Sequence, residues 1–251
     1  MKKLLWKNIW QTLAAVVFLI GVWFVAYLAV GNELKIPNFA DTLKEMGGLL
    51  GSAALWTGLG MTLLRVLAAF GISFVFALAL AVLAYLLPSV ATFLTPIISA
   101  LRSLPVLAVA LILQSFLGAG GSPIAVAFLS LFPMLYTGIL AALSGIDKQL
   151  IDISRVYGAS LWGRVRRVYL PLTAPYVLRE AGGAMSFAIK LVVSAEVLAN
   201  TARSLGGMMQ EAKIYEEIPQ LFALVSVSFV IGLVMELVMN IVAVQAEKRI
   251  Q

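Results

Sequence analysis

Residues 60–87 read GMTLLRVLAAFGISFVFALALAVLAYLL, 28 consecutive positions carrying one charge, Arg65. A helix rises 1.5 Å per residue, so about 20 apolar residues cross the hydrocarbon of a bilayer. This stretch is longer than that, with length to spare for tilt or projection. Comparable stretches recur and predict six spans, at 9–30, 57–87, 91–117, 123–143, 174–199 and 221–244. Strand-length alternating segments of the membrane-barrel kind are absent. With 62% hydrophobic and only 12% charged residues, the solvent for most of this chain is lipid. The expected fold class is all-α, a polytopic membrane protein of about six transmembrane helices in a single domain over 1–251.

The distribution of charge sets the expected orientation. The net charge is +6, and the excess sits beside the spans. Lys2, Lys3 and Lys7 precede the first span. Lys148, Arg155, Arg164, Arg166 and Arg167 fill the connection between the fourth and fifth, and Lys248 and Arg249 close the chain. An even number of spans puts all three groups on one side, and the positive-inside rule makes that side cytoplasmic, with both termini. The slightly acidic connections, with Glu33, Lys35, Asp41, Lys44 and Glu45 and with Arg203, Glu211, Lys213, Glu216 and Glu217, then fall outside. The opening MKKLLWKNIW has the look of a signal peptide, but the apolar run continues to Val30 without a small-residue cleavage site and reads as the first span. Trp6, Trp10 and Trp56 suit interfacial anchoring.

Several chemistries are excluded. The chain has neither Cys nor His, which removes thiol redox chemistry, Cys/His zinc sites and histidine acid–base catalysis. No catalytic or metal-ligating constellation stands out, so an intramembrane enzyme ranks lowest. There is no G-x-x-x-x-G-K-[ST] sequence, and the glycine-rich GAGGSP (118–123) is a short turn between spans without the lysine.

The most unusual interval is polar. DISRVYGASLWGRVRRVYLP (152–171) lies within an elbow, 144–171, between the fourth and fifth spans. Asp147 is placed to cap a first helix with Leu150, Ile153 and Tyr157 on one face, and Gly158 to end it in the left-handed conformation. Ser160 is placed to cap a second helix with Trp162, Val165 and Tyr169 as its stripe, which Leu170-Pro171 then stops. On physics alone this is a surface wedge for anionic headgroups or a handle for a partner protein.

The spacing Asp152-Ile153-Ser154, three residues, Gly158, nine residues, Val168-Tyr169-Leu170-Pro171 resembles the E-A-A-x3-G-x9-I-x-L-P signature of ABC-importer permeases. Asp replaces the usual Glu, and both alanines are replaced. GMTLLRVLAAFGISFVFALALAVL, LTPIISALRSLPVLAVALILQSFLG, SAEVLAN, SLGGMMQEA and IPQLFA extend the resemblance, in consistent order over about 56–244, to the nitrate/sulfonate/taurine-type importer permeases. In that family LRSLP (101–105) stands at an Arg-x-x-Pro element, and Glu196 matches an acidic residue late in the fifth span.

The resemblance implies a type I ABC importer-like permease core whose coupling helix docks into a separate ATPase through Asp152, Ile153, Ser154, Gly158, Ala159, Ser160, Trp162, Leu170 and Pro171. It implies a homodimer with two ABC ATPase subunits, which hold ATP and Mg2+, and an external solute-binding protein. No cofactor is expected in this chain, no covalent chemistry, and no nucleic acid. The expected location is the inner membrane, and the cargo a small organic or anionic solute, of the nitrate/sulfonate/taurine or thiamine-precursor kind, moved by alternating access.

Charges within spans cost roughly 2.5–3.5 kcal/mol on insertion scales, so they need partners or a cavity. Arg102, three residues before Pro105, either satisfies the carbonyl that the proline frees or lines a path. Lys190 and Ser194, four apart, share one face of the fifth span and are path candidates. Glu196 lies off that face and is expected in a gate contact or paired with another helix. Arg65 and Glu236 are expected to pair or snorkel near opposite surfaces. Gly58-x-Gly60 and Gly182-Gly183-Ala184 are expected at close helix contacts. Two other readings remain: a membrane scaffold or lipid sensor using the basic wedge on headgroups, and a secondary transporter, against which the lack of a visible inverted repeat weighs.

Overall fold

The structure is a computed structural model that describes the backbone of residues 2–250 and the side chains of residue 14 and residues 17–245, except those of Arg155 and Asn240. The sequence expectations for Lys2, Lys3, Trp6, Lys7, Trp10, Lys248 and Arg249 lie outside the described side chains. No strand occurs among the described residues. The helices are α1 (Lys2–Val30), α2 (Phe39–Leu50), α3 (Ala53–Leu86), α4 (Pro88–Ser103), α5 (Val106–Ser144), α6 (Lys148–Val156), α7 (Leu161–Arg164), a π-helical turn (Val165–Tyr169), α8 (Leu170–Ala199), α9 (Leu205–Ile214) and α10 (Ile218–Ile250). Four stretches, Ala53–Leu86, Val106–Ser144, Leu161–Ala199 and Ile218–Gln245, are long and apolar enough to cross a membrane.

The core is built on residue size. α3 is apolar on every side, yet Val66, Ala69, Ser73, Ala77, Ala81 and Ala84, three or four apart, are buried. Leu64, Leu67, Val75, Phe76 and Leu86 point outward. In lipid an apolar surface gains nothing by hiding, so close backbone approach through small residues decides which face packs. That stripe meets α5, whose Leu131, Leu135 and Ile139 are buried, and α8, which contributes Ile189 and Val192. α10 packs on α8 and buries Ala223 and Leu224 in the same core. α1 meets the bundle at Trp23, whose Nε1 donates to the Pro37 carbonyl (3.0 Å) and whose ring lies against Phe39 and Phe222.

The third predicted span, 91–117, is divided. α4 ends at Ser103, and the first arm of α5 starts after Pro105, which has no N–H to continue the ladder. That arm ends at Gly118, held at φ 67°, ψ 179°, a conformation that favours glycine. The chain reverses there, so Val106 and Val109 share a crevice with Val126, Leu129 and Ser130 of the second arm. The fourth span therefore begins right after Gly118 rather than at Pro123, because the GAGGSP segment is already helical beyond its first glycine.

Candidate functional site

The elbow forms largely as its residues dictate. Asp147 Oδ1 accepts from the Gln149 N–H (2.9 Å), starting α6. Gly158 at φ 69° ends it, and the Ala159 N–H closes back on the Ser154 carbonyl (3.0 Å), the bond that seals a left-handed helix end. Ser160 Oγ accepts from the Gly163 N–H (3.1 Å), capping α7. Leu170-Pro171 does not stop the next helix, contrary to expectation. Residues 165–169 widen into a π turn in which the Leu170 N–H bonds the Val165 carbonyl, and the helix runs on through Pro171 to Ala199. A wider turn relieves the clash between the proline ring and the carbonyl one turn back, which is the reason prolines ordinarily end helices.

Part of the elbow is anchored on the bundle and part is bare. Ile146 and Ile151 are buried, and Tyr169 packs edge-on against Tyr85 (6.0 Å). Several other apolar groups turn away from the bundle: Val156 is 85% exposed, Tyr157 86%, Leu161 75% and Trp162 73%, with Ile153 beside them. Of the stripes identified in the sequence, Ile153, Tyr157 and Trp162 lie on the outside of the elbow, whereas Tyr169 packs inward on Tyr85 and Leu150 lines a cavity. Arg166 and Arg167 are exposed, and Arg164 Nε is shielded without a hydrogen-bond partner among the described residues. Near the elbow, Gly138, Asp147, Leu150, Tyr176, Arg179 and Glu180 contribute to a cavity of about 730 Å3.

The opposite end holds a buried polar latch. Glu196 is 0% exposed, and its Oε1 accepts from Arg65 Nη1 (2.9 Å), a guanidinium only 11% exposed. Thr62 Oγ1 donates to both carboxylate oxygens (3.1 and 2.9 Å), and the Gly206 N–H donates to Oε2 (3.2 Å). Thr62 Oγ1 in turn accepts from the Leu205 N–H (3.0 Å). α3, α8 and the start of α9 meet at one carboxylate. The pairing expected for Arg65 and for Glu196 is a single contact between them.

The chain between α8 and α9 is shaped for this. Asn200 is left-handed (φ 48°), and the Thr201 N–H returns to the Glu196 carbonyl (3.0 Å). Ser204 caps α9 through the Gly207 N–H (2.8 Å), and Thr201 Oγ1 donates to the Ala119 carbonyl (2.7 Å). A Cβ on Gly206 would overlap Glu196 Cβ and lie 2.6 Å from the Val193 carbonyl oxygen, and one on Gly207 would run into the Thr201 carbonyl. Gly58 packs on Ser204 and Met208 as expected of a close contact, whereas Gly60 and Gly183 face open space. The roles of Thr62 and Gly206 were not visible in the sequence, because both depend on which helices meet.

The other intramembrane charges divide differently. Arg102 is exposed and makes no hydrogen bond or ion pair among the described residues; the carbonyl one turn before Pro105, that of Leu101, accepts instead from the Leu104 N–H (3.4 Å) where α4 ends. Lys190 and Ser194 do share one face, and that face lines a groove. Glu236, expected near the basic surface, belongs to the same groove and accepts from Ser186 Oγ (3.3 Å).

Comparison with known proteins is consistent in kind. The profile of the binding-protein-dependent transport system inner membrane component family matches residues 73–251. A probable ABC transporter permease protein of Brucella melitensis is 28% identical over 218 residues, 86% of this chain and 87% of that protein. The taurine transport system permease protein of Escherichia coli is 26% identical over 238 residues, 92% of this chain and 86% of that protein. A chain of the inward-facing MetNI methionine ABC transporter matches with a TM-score of 0.64 at 19% identity, over 77% of this chain and 96% of its own. A chain of a bacterial alginate ABC transporter, solved with an alginate pentasaccharide-bound periplasmic protein, matches with a TM-score of 0.64 at 17% identity, over 97% and 98%. The fold is that of type I ABC importer permeases.

Proposed function

The chain belongs to the family of binding-protein-dependent transport system inner membrane components, and on that premise we propose that it is the permease subunit of an ATP-driven importer, with the elbow as its coupling element. In this reading the chain is one permease domain, with 9–30 as its first span and 56–244 as the importer core. Two copies enclose one path, and two ABC ATPase subunits carry ATP and Mg2+ against the elbows on the cytoplasmic side, where both termini lie. A solute-binding protein delivers a small organic or anionic solute from the other side. The permease chain holds no nucleotide site of its own, and it contributes the pathway and the lever.

The observation that carries this reading is the elbow's outward apolar surface. A soluble surface rarely leaves Val156, Tyr157, Leu161 and Trp162 bare together, and such a patch marks a surface that another body covers. Arginines beside exposed aromatics are the composition of protein interface anchors. Asp152, Ile153, Ser154, Gly158, Ala159, Ser160, Trp162, Leu170 and Pro171 then form or shape the docking face. ATPase motion drawn through Tyr169 and the unbroken 161–199 helix reaches the spans directly.

Purification with the ABC ATPase and uptake in proteoliposomes test this. Replacing Gly158 with a bulky residue, or reversing the charge at Asp152, is expected to release the ATPase. Retention of the ATPase through both changes removes the elbow from the coupling role. Uptake is expected to require ATP on the elbow side and the binding protein on the other; uptake with neither present indicates a secondary transporter. An elbow protected from aqueous reagents by lipid, with no ATPase bound, indicates the headgroup-binding reading.

A further inference from the structure

Between α8 and α10 runs a groove of about 340 Å3 lined by Ser186, Lys190, Ser194, Ser228, Phe229 and Glu236, among others. Its volume is at the small end of ligand pockets. Opposite charges face it, yet Lys190 and Glu236 form no ion pair with each other. Lys190 makes no hydrogen bond among the described residues, and Glu236 accepts only the 3.3 Å bond from Ser186. An ionised carboxylate has about four acceptor positions and an ammonium three donors, so most of this capacity is unused.

Arg65 and Glu196, by contrast, are largely buried and meet directly, whereas Lys190 and Glu236 are both exposed along the groove. Ser226, two residues before Ser228, donates to the Phe222 carbonyl (2.9 Å), the usual refuge for a helical hydroxyl. Ser228 Oγ makes no such bond and is shielded from solvent, so it is the side of Ser228 rather than its hydroxyl that lines the groove. The groove thus offers a cation, an anion and the hydroxyls of Ser186 and Ser194, beside the ring of Phe229.

We propose that this groove is a binding subsite for a small zwitterionic solute, whose acid group meets Lys190 and whose ammonium meets Glu236. A ligand with both charges neutralises both walls, whereas an anion leaves the carboxylate uncompensated and a cation leaves the ammonium so. The inference rests on the permease reading, under which the groove faces water rather than lipid for part of the cycle. A zwitterionic lipid headgroup offers the same chemistry, so the solute is distinguished by using bilayers without such lipids.

The chain has no cysteine, so Ser194→Cys places a single thiol in it at the groove. The assembled transporter, in nanodiscs of phosphatidylglycerol only, is treated with a charged, membrane-impermeant methanethiosulfonate, nucleotide-free and with ATP. Labelling of this chain is read by mass shift. Taurine, β-alanine and glycine betaine serve as zwitterions, with isethionate as an anion and ethanolamine as a cation of similar size. Labelling is expected, and at least one zwitterion is expected to slow it at about tenfold lower concentration than isethionate or ethanolamine, the size of one charge-assisted contact. Glu236→Gln and Lys190→Met should each raise the protecting concentration by about tenfold. A thiol that never labels overturns the proposal, as does equal protection, or none, by zwitterions and single-charge ligands. Retention of the ATPase is measured in the same preparation, so failure of the subsite is distinguishable from failure of the permease reading.

Discussion

At the end where α8 passes into α9, polar groups converge and almost nothing is left over. Glu196 has Arg65, Thr62 and Gly206; Thr62 has Leu205; Ser204, Thr201 and Ala119 are tied in turn. At the elbow the reverse holds, with a well-formed backbone under a coat of large apolar side chains that are mostly exposed. Both regions are compact polar interruptions between apolar helices, and in the sequence they look alike. Their difference lies in where the unmet interactions are. The latch completes itself and holds three helices, while the elbow is complete in backbone and unfinished in surface.

The contrast orders the effects of substitution on the chain's own stability. The largest belongs to Glu196→Ala, which leaves Arg65 buried without its partner. Removing one member of a buried pair costs about 3–5 kcal/mol, to be seen as a lowered unfolding midpoint in detergent. The double change Arg65→Met with Glu196→Met should recover most of that loss. If it does not, the carboxylate's bonds to Thr62 and Gly206 outweigh the ion pair.

Next comes Gly206→Ala, whose added methyl meets backbone and Cβ atoms rather than a flexible side-chain end. Overpacking of this kind costs about 1–3 kcal/mol and should loosen α9, read as faster amide exchange across 205–214. A smaller effect is expected for Gly158→Ala, because forcing a Cβ residue into the left-handed region costs about 1–2 kcal/mol. That loss should be confined to exchange at 153–160 and leave the bundle's midpoint unchanged. The smallest belongs to Trp162→Ala together with Tyr157→Ala. Exposed positions change stability by about 0.5 kcal/mol or less, yet this pair should abolish most ATPase retention. A large drop in the midpoint would show that the elbow's aromatics pack within the chain, and the comparison would fail.

Local chemistry made much of the elbow legible. Asp147, Gly158 and Ser160 act within a few residues of themselves, so their capping roles follow from residue type and spacing. Pro171 misled because the rule that proline ends a helix assumes an α-helical ladder, and a π turn changes which carbonyl faces the ring. The broken third span was missed for a related reason. Apolar composition carries through Leu104-Pro105 without a change in hydropathy, so only the backbone registers the interruption. Lys190 and Ser194 were correctly placed on one face, since four residues make a turn. For Glu236 the sequence suggested a structural partner without naming it, because Ser186 is 50 residues away.

Sequence alone determined the solvent, the helices and the local stops and caps, because insertion into lipid and capping depend on short stretches of residues. It also carried the family, through motifs whose spacing survives inside the chain. Tertiary structure alone decided which face of each uniformly apolar helix is inside, since in lipid that choice rests on size and fit rather than hydropathy. It likewise decided which charges are closed on one another and which stand open. Arg65 and Glu196 lie 131 positions apart, and no local pattern foretells that the folded helices bring them within 2.9 Å while Lys190 and Glu236 share a groove without pairing.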